Sequence, residues 1–263
     1  MSKSHSHSRR SPLTNNPLRN PGQSLDEEVN RLFQDDGFVW ASSLIMSICW
    51  ITYEWYRWLA KANPHPIGFT VVLLPYIIYA GFKLYRIKQK VKRLRIARDG
   101  EKAVGQFLSD LREQGYRIHH DILGKGFNID HVIICDRGVF TIETKTYSKP
   151  ISGRATIQFD GEQLTVDGKS TERAILQQAH SQAKWLQDLL QESTGKDLPV
   201  KPVIVFPGWF IEQTSIAKAS QTWVLNPKAL PSFLENSPKR LSQEDVKLAS
   251  YHLSQYIRST VDQ

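Results

Sequence analysis

Two long apolar segments joined by a short connector constrain the fold of this chain more than any other feature. They are FVWASSLIMSICWITYEWYRWLA at 38–60 and IGFTVVLLPYIIYAGF at 67–82, and the connector around NPHP is only a few residues long. A bilayer span needs about 20 residues, or about 17 with interfacial anchoring. Each apolar core is slightly short of that length. A buried helical hairpin of a soluble protein is therefore the alternative to two membrane spans.

Aromatic side chains at the segment ends favour the membrane. Trp40 lies at one end of the first segment and Trp58 at the other, as expected where amphipathic rings meet lipid headgroups. We therefore expect a transmembrane helical hairpin over 38–82. Its two helices are predicted at about 38–58 and 66–85.

A basic stretch, KLYRIKQKVKRLRIAR at 83–98, follows the second apolar segment directly. Its apolar residues recur at helical spacing, which predicts a basic juxtamembrane helix. The positive-inside rule places this end in the cytoplasm, and two spans then return the amino terminus to the same side. We expect a multi-pass protein of the cell inner (cytoplasmic) membrane with both termini cytosolic. Its cations would bind anionic lipid: Lys83, Arg86, Lys88, Lys90, Lys92, Arg93, Arg95 and Arg98.

The charge of the rest of the chain is balanced. The formal net charge is +8, and the basic stretch alone accounts for that excess, because residues 99–263 carry 19 basic and 20 acidic side chains. This part therefore lacks the overall basic charge common in DNA-binding domains. The balance counts against tight, non-specific DNA binding by this part alone.

The remaining sequence predicts a tail and a mixed α/β domain. Residues 1–37 are polar and predict a flexible cytosolic tail with one short helix near 25–33. From about Asp99 the pattern reads helix, strand meander, helix, strand, helix. We expect one domain over 99–215, completed by a strand and helices at 216–263. The two cysteines form no Cys/His cluster, which argues against a disulfide framework and a structural zinc site.

The stretch NIDHVIICDRGVFTIETK, at 128–145, carries the candidate chemistry. Its two apolar runs flank a DRG turn and predict a hairpin that sets the strands side by side and lets Asp130 approach Glu143. Alternate strand residues share a face, so Glu143 and Lys145 are neighbours. Two carboxylates this close repel unless a cation or proton joins them. Mg²⁺ suits such a pair, because it is commonly held by one or two carboxylates together with phosphate oxygens.

An ordinary surface explains the same residues. An exposed Glu and Lys pair two residues apart is common and weakly stabilising, and an Asp often closes a turn. From the residue chemistry alone this interpretation is favoured over a metal site. Nearby histidines are given structural roles: His119 and His120 face opposite sides of a strand, His131 points away from Asp130, and His180 is taken as solvated or capping.

Several motifs together resemble the nuclease-related domain, NERD, of the PD-(D/E)XK nuclease superfamily. They are Gly100-Glu101 at the start of a helix, NIDHVII, GVFTIETKTY, and the glutamine-bearing helix RAILQQAHSQAKWL. The resemblance covers roughly 99–215. It implies a restriction-endonuclease-like mixed sheet flanked by helices, preceded here by the transmembrane hairpin.

The resemblance also implies a site. Asp130 and Glu143 would bind Mg²⁺ or Mn²⁺, Lys145 would activate water, and Glu101 on the first helix would join them. Family members carry Asn-Pro ahead of the helix glutamine, where this chain has Ala174 and Ile175, so the choice between Gln177 and Gln178 stays open. We prefer Gln178, which stands four residues before Gln182 on one helix face.

Two functions follow from these expectations. The first is a membrane-anchored, metal-dependent nuclease that hydrolyses phosphodiester bonds on the cytosolic side, with DNA favoured over RNA as partner and no organic cofactor. The second is a non-catalytic interaction or sensing module that uses the same fold, which the near-neutral charge favours. The sequence does not fix substrate preference, endo or exo mode, oligomeric state or pathway.

Overall fold

The computed structural model describes residues 17–62, 65–150, 153–166, 168–170, 174–218 and 220–260. These form two compact units. The helical unit is Gly22–Ala103, and the sheet unit comprises the chain on both sides of it, up to Pro21 and from Val104 onward. Residues 1–16 of the predicted tail and Asn63 and Pro64 of the connector lie outside the described residues.

The short helix predicted near 25–33 is present in the helical unit, at Gln23–Arg31. The expected flexible tail, 1–37, is helical from Gln23 onward, and the predicted juxtamembrane helix is part of one 44-residue helix. The elements of this unit are α1 (Gln23–Arg31), a π-helical segment (Leu32–Gly37), α2 (Phe38–Leu59) and α3 (Pro66–Ser109), which continues past Ala103.

The contacts of α1 explain why it is ordered. Val29 and Leu32 are buried in a cluster with Val91 of α3. Ion pairs flank this cluster, because Glu28 lies 2.7 Å from Lys90 and Asp26 lies 2.9 Å from Arg98. Two of the cations that the sequence assigns to lipid, Lys90 and Arg98, therefore have carboxylate partners within the protein.

Helices α2 and α3 pack against each other as an antiparallel hairpin. Near the start of α2, the Trp40 ring lies edge-on to Tyr79, with 5.5 Å between the centroids. Near its end, the indole N–H of Trp55 donates a hydrogen bond to the Thr70 hydroxyl at 3.1 Å. These contacts join the start of α2 to Tyr79 of α3 and the end of α2 to Thr70, near the start of α3.

One helix among the described residues, Pro66–Gln114, is long and apolar enough to cross a membrane. Only 6% of its most apolar 18-residue stretch is buried, so this stretch is not the interior of a soluble core. Helix α2 does not meet the same criterion, because serine, threonine, tyrosine and Glu54 dilute its apolar residues. Of the two predicted membrane-spanning helices, the second therefore meets this criterion and the first does not.

The sheet unit contains a five-stranded mixed sheet, which confirms the mixed α/β prediction. The strand order is β1-β2-β3-β7-β9. The first two pairings are antiparallel and the last two are parallel. The strands are β1 (Arg117–Leu123), β2 (Asn128–Cys135), β3 (Gly138–Thr144), β7 (Val200–Val205) and β9 (Trp223–Leu225).

A second sheet of four strands, in the order β6-β5-β4-β8, lies in the same unit. Its β4 pairs antiparallel with β5 and parallel with β8. The strands are β4 (Thr156–Phe159), β5 (Leu164–Val166), β6 (Lys169–Ser170) and β8 (Phe210–Gln213).

Helices cover both faces of the five-stranded sheet. One face packs against the end of α3 and α6, through residues such as Leu108, Phe140 and Leu234. The other packs against α4 and α7, through Val132, Leu186 and Leu253. Ser242 caps the last of these helices, since its hydroxyl accepts the Asp245 N–H at 3.1 Å. The remaining helices are α4 (Ala174–Thr194), α5 (Ser215–Lys218), α6 (Leu230–Glu235) and α7 (Gln243–Thr260), with short 3-10 segments at Asp110–Gln114 and Pro227–Ala229.

A buried ion pair ties the amino-terminal segment into the sheet unit. The Arg19 side chain donates to Asp121 Oδ2 at 2.7 Å, and Asn128 donates to the other carboxylate oxygen at 3.1 Å. Arg19 is 6% exposed and Asp121 is fully buried. Asp121 also has a positive φ of 52°, a conformation that is unusual for a residue other than glycine. The surroundings therefore hold Asp121 firmly in place.

Replacing Arg19 should destabilise the sheet unit strongly. Arg19→Met leaves the Asp121 carboxylate buried without this cation, which typically costs about 3–5 kcal/mol. The measurement is the free energy of unfolding of the full chain in urea, followed by tryptophan fluorescence. Arg117→Met, at an exposed position of β1, is the control. Equal losses in the two variants would contradict a structural role for the Arg19 pair.

Candidate active site

The hairpin of β2 and β3 positions the two candidate metal ligands. Its turn at Asp136 and Arg137 closes with Gly138 at φ 141°, and the register pairs Cys135 with Gly138 and His131 with Ile142. One step further along this antiparallel register, Asp130 stands opposite Glu143. Directly opposed residues share a face of the sheet, with Cβ atoms about 4.5–5.5 Å apart. The sequence-predicted approach of the two carboxylates is therefore built into the strand pairing.

Asp130 is fixed by the backbone of the neighbouring strand. Its Oδ2 accepts the main-chain N–H of Thr144 at 2.7 Å, and the residue is 4% exposed. A charge-assisted hydrogen bond of this kind is stronger than a neutral one and limits rotation of the carboxylate.

The Glu143 carboxylate is the centre of a hydrogen-bond network. One oxygen, Oε1, accepts from Lys145 Nζ at 2.6 Å and from Gln178 Nε2 at 2.9 Å. The other, Oε2, accepts from Gln182 Nε2 at 2.7 Å. Because Glu143 is only 4% exposed, these donors replace the water that an ionised carboxylate requires.

Helix α4 supplies the two glutamines of this network. Gln178 and Gln182 are four residues apart and therefore lie on one helix face. The Gln178 carbonyl oxygen also accepts from Lys145 at 3.1 Å, and the Gln182 amide also donates to the main-chain oxygen of Asn128 at 2.9 Å. The Gln182 side-chain oxygen is buried without a partner among the described residues. That oxygen is a free acceptor beside Glu143.

Lys145 follows β3 directly and remains partly accessible. Its main-chain N–H donates to Val205 of β7 at 2.9 Å, and its side chain is 23% exposed. Burial by itself lowers the pKa of Lys145, but the carboxylates of Glu143 and Asp130 outweigh that effect, so its pKa is raised above the ordinary lysine value. The lysine is therefore a cation at neutral pH.

The structure brings four of the five predicted site residues together. Asp130, Glu143, Lys145 and Gln178 are linked by the strand register and by hydrogen bonds. The fifth, Glu101, lies on α3 in the helical unit and is 5% exposed; its catalytic role stays a prediction.

Sequence reasoning missed Gln182 as a member of the site. It is 2% exposed and donates to Glu143 and to the Asn128 carbonyl. Its spacing from Gln178 was the available signal, since two glutamines one helical turn apart present two amides to the same neighbour.

The donor set fits a hard divalent cation. Among the described parts of the chain, no group of three or more His, Cys, Asp or Glu side chains converges, so the protein offers the carboxylates of Asp130 and Glu143. Mg²⁺ is commonly held by one or two carboxylates, with water and phosphate oxygens in the other positions. Glu143 would have to exchange one of its three donors for the cation.

A histidine pair lies on the opposite face of the hairpin. His120 Nδ1 and His131 Nδ1 are 2.9 Å apart, on strands that pair these residues directly. Burial lowers the pKa of His120 to about 4 and that of His131 well below its ordinary value. Both rings are neutral at pH 7 and add no charge to the carboxylate face.

The sheet is mixed and is flanked by helices, so the fold is α/β. Asp130 lies on β2, Glu143 lies near the end of the adjacent β3, and Lys145 directly follows that strand. Together these features define an α/β protein with a candidate hydrolytic site. Residues 96–207 match the family model described as Nuclease-related domain, NERD. Over these residues the chain is similar to the nuclease-related domain. No characterised protein and no solved structure was found to match the chain.

The raised pKa of Lys145 predicts that its amine reacts slowly with acylating reagents, because the ammonium form is not a nucleophile. Burial lowers the pKa of Lys145, and Glu143→Gln removes the larger of the two carboxylate effects that oppose it, leaving only Asp130. The pKa should therefore fall, and more of the lysine should be unprotonated at pH 8.5. We expect the rate of Lys145 acetylation by acetic anhydride to rise several-fold, measured by peptide mass spectrometry.

The matched control is Glu212→Gln, an exposed position on β8, which should leave that rate unchanged. Equal Lys145 acetylation in wild type and Glu143→Gln would contradict the electrostatic coupling.

Proposed function

We propose that this protein is a metal-dependent nuclease of the PD-(D/E)XK type, which hydrolyses phosphodiester bonds in nucleic acid, with DNA as the favoured substrate. The observation that carries the proposal is the placement of Asp130 opposite Glu143 in the β2–β3 register, with the Lys145 ammonium 2.6 Å from Glu143. The match to the nuclease-related family model over 96–207 supports the same chemistry.

Asp130 and Glu143 would hold Mg²⁺ or Mn²⁺. When bound, such a cation supplies Lewis-acid activation and charge neutralisation at a phosphate. Asp130 is well suited to this role, because its bond to the Thr144 N–H fixes the direction of its carboxylate.

Lys145 would act mainly through its charge. Its raised pKa favours the ammonium form, which can stabilise negative charge that develops on phosphate oxygens and can orient an attacking water by hydrogen bonding. Its contact with the Gln178 carbonyl oxygen at 3.1 Å keeps it near Glu143.

Gln178 and Gln182 would be positioning residues. They donate to different oxygens of Glu143, at 2.9 and 2.7 Å, and therefore set the plane of its carboxylate. Gln178 would also provide a replacement contact for Lys145 if the lysine leaves Glu143 during binding of a cation.

A plasmid-nicking assay tests the proposal. The purified full chain with Mg²⁺ or Mn²⁺ should nick supercoiled DNA, and Asp130→Asn, Glu143→Gln and Lys145→Met should each lower the rate by at least 100-fold. The physical reason is that Asp130→Asn and Glu143→Gln each remove a negative charge that would hold the cation, and Lys145→Met removes a positive charge that would stabilise the reacting phosphate. The rate is measured by gel electrophoresis of the relaxed product.

Glu212→Gln and Lys247→Met are exposed controls in the same unit and should nick at the wild-type rate. Nicking that persists undiminished in all three site variants would identify a contaminant or a different site. Absence of nicking by the wild type on both DNA and RNA would remove the enzymatic proposal.

We further propose that α2 and α3 form a two-span anchor in the inner membrane, with both termini cytosolic. Large apolar side chains of both helices are exposed, including Met46 at 70% and Val72 at 72%, which water does not favour. The Arg19–Asp121 pair supports an even number of crossings. These two residues touch within one unit, so the chain between them must leave and return on the same side of a bilayer.

The anchor makes the protein an integral membrane protein. The full chain should sediment with membranes and resist extraction at pH 11. Introducing charge into α3, by Leu74→Lys together with Ile78→Lys, should shift most of the protein out of the carbonate-resistant fraction, because a lysine near the centre of a span costs about 2.5–3.5 kcal/mol. Immunoblotting of the fractions measures the distribution.

The control places the same charges outside the apolar stretch, in Gln89→Lys together with Gln106→Lys, and should remain in the membrane fraction. Equal extraction of all three proteins would contradict insertion.

The second candidate function is a non-catalytic, membrane-tethered interaction or sensing module. One observation favours it: both oxygens of Glu143 already accept hydrogen bonds from Lys145, Gln178 and Gln182. A self-satisfied network of this kind is also what a purely structural polar cluster requires. The nicking assay separates the two candidates.

A further inference from the structure

A cleft at the other end of β3 has no role in the proposed nuclease. It has a volume of about 510 Å³ and lies where β3 and β7 begin, beside the middle of α4. Val139 lines it, whereas Glu143 stands four residues further along the same strand. At about 3.3 Å per residue the two positions are roughly 13 Å apart. The cleft is therefore a separate feature of the sheet unit.

The cleft is lined by basic residues. Its lining includes Arg137, Lys184, Lys201 and Arg240, together with His180, and no Asp or Glu among the described residues lines it. Clefts lined by charge of one sign concentrate ligands of the opposite sign. The local charge is notable because residues 99–263 as a whole have a balance of −1.

Not all of these cations are already neutralised. Lys184 pairs with Asp188 at 2.8 Å, and Arg137 lies 3.5 Å from Asp136. Lys201 and Arg240, by contrast, have no carboxylate partner within 4.0 Å among the described residues. Two positive charges therefore remain available in the cleft.

Lys201 is held in place by weak contacts. Its ammonium lies 3.5 Å from the Ser220 carbonyl oxygen and 4.9 Å from the centre of the Trp223 ring. Burial lowers the pKa of Lys201, and the nearby Arg240 guanidinium lowers it further. An anion between the two cations would relieve both effects, because it would replace lost water and screen the repulsion.

We propose that this cleft binds the phosphate group of a small ligand. A phosphate dianion matches the two unpaired charges of Lys201 and Arg240, and the Arg240 guanidinium suits phosphate geometry because it can donate two parallel hydrogen bonds. His180 contributes a polar side chain to the lining of the cleft; its Nε2 is 2.9 Å from the Thr222 hydroxyl. The volume lies within the range of roughly 300–1,000 Å³ typical of small-ligand pockets.

Isothermal titration of the detergent-solubilised full chain with inorganic phosphate and with pyrophosphate tests the proposal. We expect saturable binding that weakens with added salt, and a loss of at least tenfold in affinity in Lys201→Met and in Arg240→Gln. Lys247→Met, at an exposed position of α7, should bind as the wild type does. No saturable binding of either anion, or equal affinity in all four proteins, would overturn the proposal.

A labelling experiment on the wild-type chain covers the case in which the variants fail to fold. Pyridoxal 5′-phosphate carries both a phosphate and an aldehyde. The aldehyde condenses with an unprotonated lysine amine to an imine with loss of water, and borohydride then reduces the imine to a stable amine. We expect Lys201 to be modified ahead of Lys247 and pyrophosphate to protect it, as measured by peptide mass spectrometry. Equal modification of the two lysines, or absence of protection, would overturn the proposal.

Discussion

The antiparallel register between β2 and β3 is the constraint on which the candidate site depends. It sets Asp130 opposite Glu143 and brings the Thr144 N–H to the Asp130 carboxylate. A shift of one residue would turn every side chain of a strand to the other face. The carboxylate of the shifted strand would then meet the apolar cluster around Phe140 instead of α4. Burial on both faces of the hairpin makes such a shift costly, since all of β3 is buried.

Local patterns were sufficient to predict the hairpin. Two apolar runs separated by a DRG turn predict adjacent strands, and the alternation of side chains along β3 assigns Glu143 to a face. The preference for Gln178 followed from helical spacing in the same way, and the structure places that side chain 2.9 Å from Glu143. These features depend on residues close in sequence, whose geometry short-range rules describe well.

Features that depend on distant residues were not predictable in this way. The parallel pairing of β4 with β8 joins segments about fifty residues apart, and α1 is ordered by burial of Val29 and Leu32 against α3. Helical spacing predicted that the basic stretch prolongs the second apolar helix, but it did not show that the same helix continues into the first domain helix. Polar residues that follow an apolar segment change the surroundings of that part of the helix. They do not interrupt the main-chain hydrogen bonds that continue the helix.

The Arg19–Asp121 pair has a consequence for how the chain is made. Arg19 leaves the ribosome about a hundred residues before Asp121, and both apolar helices are synthesised between them. For the proposed two-span anchor, entry of α3 into a bilayer without α2 would leave the two residues in different compartments, and the carboxylate would then lack its counter-ion. The sheet unit could then fold completely only if both helices had inserted. An incorrectly inserted chain would be distinguished by an incompletely folded sheet unit.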